Sequence, residues 1–388
     1  MERNAVVYAE RAVAETGLDD FGDGAWREGL QRLLEDLDTS AALNQIGRTI
    51  VDGEIVAYLT NRLGIVAERR ARPEIARREV IAPIVIIGQG RTGTTILYDL
   101  LAQDPAMRAP LTWEVAAPNP PPETPTYQSD PRIAANEATS AMVDLIIPGF
   151  RAMHPLGPLL AQECVAMTAS EFRSMIFPVQ YRVPQYTHWL LHEADMAPAY
   201  EWHRVFLQHL QSRHMTARWI LKSPGHIWCL GALLAEYPDA LLVQTHRDPL
   251  RIIASLGSLV STLRSLASDD TSNPEAAGEF ADYILDGLDR SVTARIDGTV
   301  EPDRVIDVRF DAFMADPLAT VRAVYEQLDL ELTTVAEARM RDFLSSHPQD
   351  RYGKHAYTFA ETGLDEGALR ERARRYQEYF DVPNEELP

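Results

Sequence analysis

Three short segments hold residues whose types and spacing could do chemistry. The first is Gly88-Gln89-Gly90-Arg91-Thr92-Gly93-Thr94-Thr95, which follows the apolar, β-branched run Ile84–Ile87 and precedes a helical pattern. Glycines let successive N–H groups converge, a helix N-terminus adds positive potential, and threonine hydroxyls add donors, so an anion is the natural occupant. Gly88 and Gly93 are spaced as in a nucleoside-triphosphate loop, but Thr94 stands where that loop needs its lysine, which disfavours an ATP-dependent kinase. The second segment is Thr245-His246-Arg247-Asp248-Pro249, again a strand end opening a helix, with Ser255 two turns in. A guanidinium there could bind a second phosphate, for which an ATP site has no use; the plainer alternative is an Arg–Asp pair capping a helix. His-Arg-Asp also occurs in kinase catalytic loops, yet Ile252 and Ile253 stand where the required asparagine would be. The third segment, Leu221-Lys222-Ser223-Pro224-Gly225-His226, holds one of the chain's only two lysines, the other being Lys354. Where arginine fills every generic surface role, a surviving lysine points to a site that needs a compact, strongly hydrated point charge.

Taken together, these segments resemble the PAPS-dependent sulfotransferases (PAPS is 3′-phosphoadenosine 5′-phosphosulfate), in particular a bacterial branch with R-[ST]-G-T-T, L-T-W-E, L-K-S-P-x-H and H-R-D-P segments. The resemblance implies a P-loop-like parallel β-sheet flanked by helices. It also implies transfer of a sulfuryl group from PAPS to a hydroxyl of a small-molecule or lipid-like acceptor. By the same resemblance Arg91, Thr92, Gly93, Thr94 and Thr95 would hold the 5′-phosphosulfate, and Arg247 and Ser255 the 3′-phosphate. A basic C-terminal loop closes over that phosphate in the family, which gives Lys354, with His355, a supporting role. Lys222 corresponds to a lysine near the scissile bond. For the general base the resemblance offers Glu114 first, in Leu111-Thr112-Trp113-Glu114, and His226 second, because K-S-P-G-H matches the histidine base of other family members only loosely.

The chemistry is consistent with that assignment. Sulfuryl transfer is an in-line displacement in which charge grows on the oxygen bridging to the departing phosphate; positioned cations can neutralise it, so no metal is expected. A base near the acceptor hydroxyl adds roughly 10² to 10⁴ in rate. His188 and His192, one helical turn apart, lack a third ligand for zinc. Glu163 is a further candidate for contact with the acceptor, and Trp113, Phe172, Tyr181, Tyr186 and Trp189 could line an aromatic pocket, although aromatics at helical spacing are more often core. The readings kept open beside a sulfotransferase are another P-loop transferase, such as an ATP-dependent small-molecule kinase, and a non-catalytic nucleotide-binding module.

The elements that must position these residues are those of an α/β protein. Strands are expected at Ile84–Ile87, Trp219–Leu221, Leu241–Gln244 and Val305–Val308, alternating with helices, which implies a mostly parallel sheet with ligands at the strands' C-terminal ends. Residues 1–80 repeat apolar positions at helical spacing and read as an N-terminal helical extension; 81–388 read as the sulfotransferase domain, with a helical, acceptor-lining insertion over about 130–215. The proline-rich stretch Pro118–Pro125 forbids regular structure, and Asp365–Asp381 reads as a charged helix. With 388 residues, 46% of them hydrophobic, the chain can bury a large core. A formal charge of −20 argues against a nucleic-acid partner. Cys164 and Cys229 are too few for a disulfide framework and fit a reducing, cytoplasmic compartment; the start shows no leader pattern and no later segment is expected to span a membrane. A homo-oligomer stays open.

Overall fold

The computed structural model describes residues 4–147, 150–348 and 355–388. Ile84–Ile87 (β1) is buried along its whole length, which is why the run has no polar alternation: both faces of a parallel sheet are covered. β2 (Met107–Arg108), β3 (Arg218–Lys222), β4 (Leu241–His246) and β5 (Val305–Arg309) complete a five-stranded sheet in the order β2-β3-β1-β4-β5, with every pairing parallel. The four expected strands are present, three of them longer than expected. β2 is a two-residue edge strand, too short for any periodicity to show in sequence.

Helices cover both faces. One face packs Leu97, Leu100, Leu101, Phe313, Val321 and Tyr325 against Ile86 and Val243; the other packs Phe206, Leu210, Leu233 and Tyr237 against Val85 and Leu242. Strand order matters most for function. β1 lies between β3 and β4, so the turn leaving β1 is flanked on one side by the end of β3 and on the other by the end of β4. In open parallel sheets ligands bind beyond the carboxyl ends of the strands at such a crossover.

The helical start comprises Ala5–Thr16, Trp26–Thr39 and Gln45–Ala71, and helices recur through the insertion, among them Pro131–Ile146, Pro184–His192 and Ala197–Leu210. Leu30, Leu34, Ile55 and Leu59 of the first group share one core cluster with Phe172, Phe177, Tyr186 and Trp189 of the second. Phe172 stacks on Phe177 at 6.0 Å and Tyr186 meets Phe177 edge-on at 5.8 Å. Phe172, Tyr181, Tyr186 and Trp189, all buried, therefore glue the N-terminal helices to the insertion instead of lining an acceptor pocket.

Pro249–Ala267, 19 residues long, is among the described residues the one helix long and apolar enough to cross a membrane, by length and composition only. Here it is a core helix, packing Leu250, Ile253 and Val260 against Phe280, Ile284 and Leu288 of the helix Asn273–Ile296. Cys164 is buried and Cys229 half-buried, both as free thiols.

Candidate active site

The turn after β1 depends on backbone that side chains resist. Gly88 has φ +123°, and a Cβ there would meet Thr245 Oγ1 at 2.5 Å and the Thr245 carbonyl oxygen at 2.7 Å, so only glycine lets the turn lie against the end of β4. Arg91 at φ 70° and Gly93 at φ 86° are left-handed, and the helix Thr94–Leu101 starts directly after them. Thr92 Oγ1 donates to the Gln89 carbonyl at 2.6 Å and lies 2.6 Å from Thr245 Oγ1. Thr92 is therefore a brace of the turn, while Thr94 and Thr95 supply the unpaired N–H groups of a helix's first turn.

On the β3 side stands Lys222. It sits level with Ile86 in the sheet, and its ammonium lies 3.5 Å from Thr95 Oγ1 and pairs with Glu163. Its side chain is buried, while Glu163 is partly exposed. Lys222 and His154 hold the Glu163 carboxyl below the usual range although burial alone would raise it. Asp99 lies one helical turn beyond Thr95; burial pushes its carboxyl up to about 7, with Lys222 drawing it back. His154 completes this side. Its Nδ1 is 3.0 Å from the Pro155 carbonyl, which can only accept, so Nδ1 carries the proton and Nε2 the lone pair. Burial lowers its pKa, as do Lys222 and Arg91, while Glu163 raises it.

On the β4 side stands Arg247. One guanidinium N–H donates to the Arg91 carbonyl at 2.9 Å, and the group lies 3.9 Å above the Phe310 ring. Arg91 in turn donates from Nε to Ser255 Oγ at 2.9 Å and from Nη1 to the Met153 carbonyl at 2.9 Å. Burial and the neighbouring Arg247 both lower the Arg91 pKa. His355 Nε2 lies 3.0 Å from Ser258 Oγ, one turn along from Ser255. Lys354 lies outside the described residues. The structure thus brings the Gly88 turn, Arg91, Lys222, Arg247, Ser255 and His355 to the carboxyl ends of the strands.

The two residues expected as the general base are both enclosed. Glu114 is fully buried and bonded at both oxygens: Arg108 donates to Oε2, while the Leu111 N–H and the Tyr127 hydroxyl donate to Oε1 at 2.9 and 3.0 Å. Burial pushes its carboxyl up, and Arg108 draws it back down. His226 is also buried, with Nδ1 2.9 Å from the Tyr200 hydroxyl; it lines a cavity of about 30 Å³ with Val165, Met175 and Leu190. Desolvation drives its pKa down to about 3, so it is neutral at any physiological pH. His188 and His192 lie with ring centres 4.8 Å apart, and among the described residues no group of three or more metal-ligating side chains forms.

Asp99, His154 and Arg251 were not singled out by sequence. Asp99 and Arg251 each lie four residues after a candidate, Thr95 and Arg247, so helical spacing could have found them. His154 sits in a loop with no such signal.

A parallel sheet presenting a glycine turn between a lysine and a pair of arginines is an arrangement suited to binding anions. A family model described as "Sulfotransferase family" matches residues 83–334. Sulfotransferase STF9 of Mycobacterium avium has a crystal structure that superposes with TM-score 0.90 at 32% identity, covering 98% of this chain and 97% of that one. STF1 of Mycobacterium tuberculosis H37Rv gives 0.85 at 30%, covering 96% and 98%. The omega-hydroxy-beta-dihydromenaquinone-9 sulfotransferase of M. tuberculosis is 25% identical over 314 residues, 76% of this chain and 74% of the relative. The chain belongs to the sulfotransferase family and is a transferase.

Proposed function

We propose that the protein transfers a sulfuryl group from PAPS to the hydroxyl of a lipid-like acceptor. The observation that carries the donor assignment is the pair of cationic stations on either side of one glycine turn, Lys222 on the β3 side and Arg91–Arg247 with Ser255 on the β4 side. A donor with separate 5′- and 3′-anions matches two stations; a donor with a single phosphate chain leaves one unused. The Gly88 turn and the first turn of the helix Thr94–Leu101 would hold the phosphosulfate, with Arg247 and Ser255 at the 3′-phosphate.

In the reaction the acceptor oxygen forms its bond to sulfur while the bond from sulfur to the phosphate oxygen breaks. Lys222, beside Thr95, neutralises the charge that appears on that departing oxygen. Glu163 takes the acceptor proton in this reading. Its carboxylate is ionised and partly exposed next to Lys222, whereas the oxygens of Glu114 are already occupied and His226 is enclosed. Glu114 instead holds Arg108 and the start of its own helix in place.

The lipid-like acceptor is supported by the hydroxylated menaquinone in the relative's name. It is also supported by the exposed apolar side chains Met142, Leu145, Ile146 and Leu159, which flank the segment leading to Met153 and His154. The test is calorimetry with adenosine 3′,5′-bisphosphate against adenosine 5′-monophosphate and Mg·ATP. The bisphosphate is expected to bind most tightly, and Glu163→Gln to cut turnover by about 10²-fold or more. Equal binding of the bisphosphate and the monophosphate would remove the donor assignment.

A further inference from the structure

The side-on edge of Arg247 is occupied by a carboxylate from the last residues of the chain. Nε and Nη2 of Arg247 donate to the two oxygens of Glu385, each at 2.9 Å. Nη1 donates to the Arg91 carbonyl, and the Phe310 ring covers one face. Of the guanidinium's N–H groups, one on each Nη is then left over. The one on Nη2 points to the end of the fork, because Glu385 takes its side-on partner, and there a phosphate oxygen can accept it.

The tail that carries Glu385 is fixed on both sides. Its backbone N–H donates to Asp248 Oδ2 at 2.7 Å, and the fully buried Asp248 also receives Leu250 N–H and Arg370. Asn384 accepts from Arg370 and from Gln377, each at 2.9 Å, and the Phe359 N–H donates to Pro388 at 3.0 Å. Arg251 adds a second cation 3.5 Å from the Glu385 carboxylate. A carboxylate held by that many independent bonds is a built part of the site and not a loosely seated plug.

We propose that Glu385 is a positioning residue for the donor's 3′-phosphate: it locks the Arg247 guanidinium side-on, so that the end of the fork is presented to the phosphate. The inference rests on the donor reading above. It makes the C-terminal tail a component of nucleotide recognition, although it lies about 140 residues beyond Arg247 in sequence.

The experiment compares wild type, Glu385→Gln and Glu385→Asp by calorimetry with adenosine 3′,5′-bisphosphate and, in the same preparation, with adenosine 5′-monophosphate. Each affinity ratio refers to the same folded protein, so a change in fold cancels. Glu385→Gln is expected to weaken the bisphosphate about 10-fold, as loss of an orienting partner typically does, and to leave the monophosphate unchanged; Glu385→Asp is expected to recover part of the loss. Equal weakening of both ligands would make the tail merely structural and overturn the proposal. Tighter bisphosphate binding would also overturn it, by showing the carboxylate to be a competitor for the phosphate position. If wild type itself does not prefer the bisphosphate, the donor reading fails; if wild type prefers it and Glu385→Gln keeps the full preference, only the role of Glu385 fails.

Discussion

Glu114→Gln separates a structural carboxylate from a catalytic one. The substitution keeps the shape and one carbonyl oxygen, which can still accept from Leu111 N–H and the Tyr127 hydroxyl, but its amide cannot accept from Arg108. Arg108 then remains a buried cation, 6% exposed, with only the Leu210 and His214 carbonyls and the faces of Tyr127 and Trp219 around it. Removing one partner of a buried pair costs about 3–5 kcal/mol, and the retained bonds place this case near 3. For a chain of 388 residues the unfolding entropy is roughly 0.8 kcal/mol/K near the midpoint, so Tm should fall by about 4 °C. The gap should widen at acid pH: burial raises the wild-type carboxyl above its unfolded value, so the folded wild type takes up a proton first and gains stability as pH falls, while the glutamine variant does not titrate. Thermal unfolding and turnover at 25 °C are measured on the same preparations, with turnover expected to stay within about threefold of wild type. A loss of about 10²-fold or more in turnover with an unchanged Tm would refute the reasoning and return Glu114 to the role of base.

Lys222→Met should lower kcat by about 10² to 10³ with a smaller effect on donor affinity, and Lys222→Arg should not restore it, because a planar fork cannot replace a point charge beside Thr95; steady-state kinetics decides. Asp99 titrates near 7, so donor binding should tighten as pH falls through that value and a negative charge beside Lys222 disappears; calorimetry across pH 6–8 should show the dependence lost in Asp99→Asn. His203 and His226 are held down to about 3 and His209 to about 4, all by burial. Their folded pKa values lie below the unfolded one, so the stability they confer is complete above about pH 6.5 and is lost as pH falls towards 4. Each contributes up to about 1.4 kcal/mol per pH unit in that window, and acid titration of Tm should show a slope that His203→Gln reduces.

The parts legible in sequence are those whose chemistry is local. A buried strand announces itself as an unbroken apolar run, the turn after it by glycines at positions where Gly88 and Gly93 take positive φ, and the helix that follows by its own periodicity. Arg247 and Ser255 were legible for the same reason, since both belong to one strand-to-helix junction. Glu114 and Glu163 show where that reading stops. Both are glutamates near apolar helical segments, and nothing within a few residues of either says that one meets Arg108 and the other Lys222.

Sequence by itself determined that this chain builds a glycine turn after β1 and sets Arg247 at a second strand-to-helix junction of a parallel sheet, because backbone conformation and helix initiation depend on neighbouring residues. Tertiary structure alone decided that β3 and β4 flank β1, which carboxylate faces the lysine, and that Glu385 returns from the C-terminus to Arg247. Those pairings join residues far apart in the chain, and their energy comes from burial and charge at contacts that exist only once the sheet and its helices have packed.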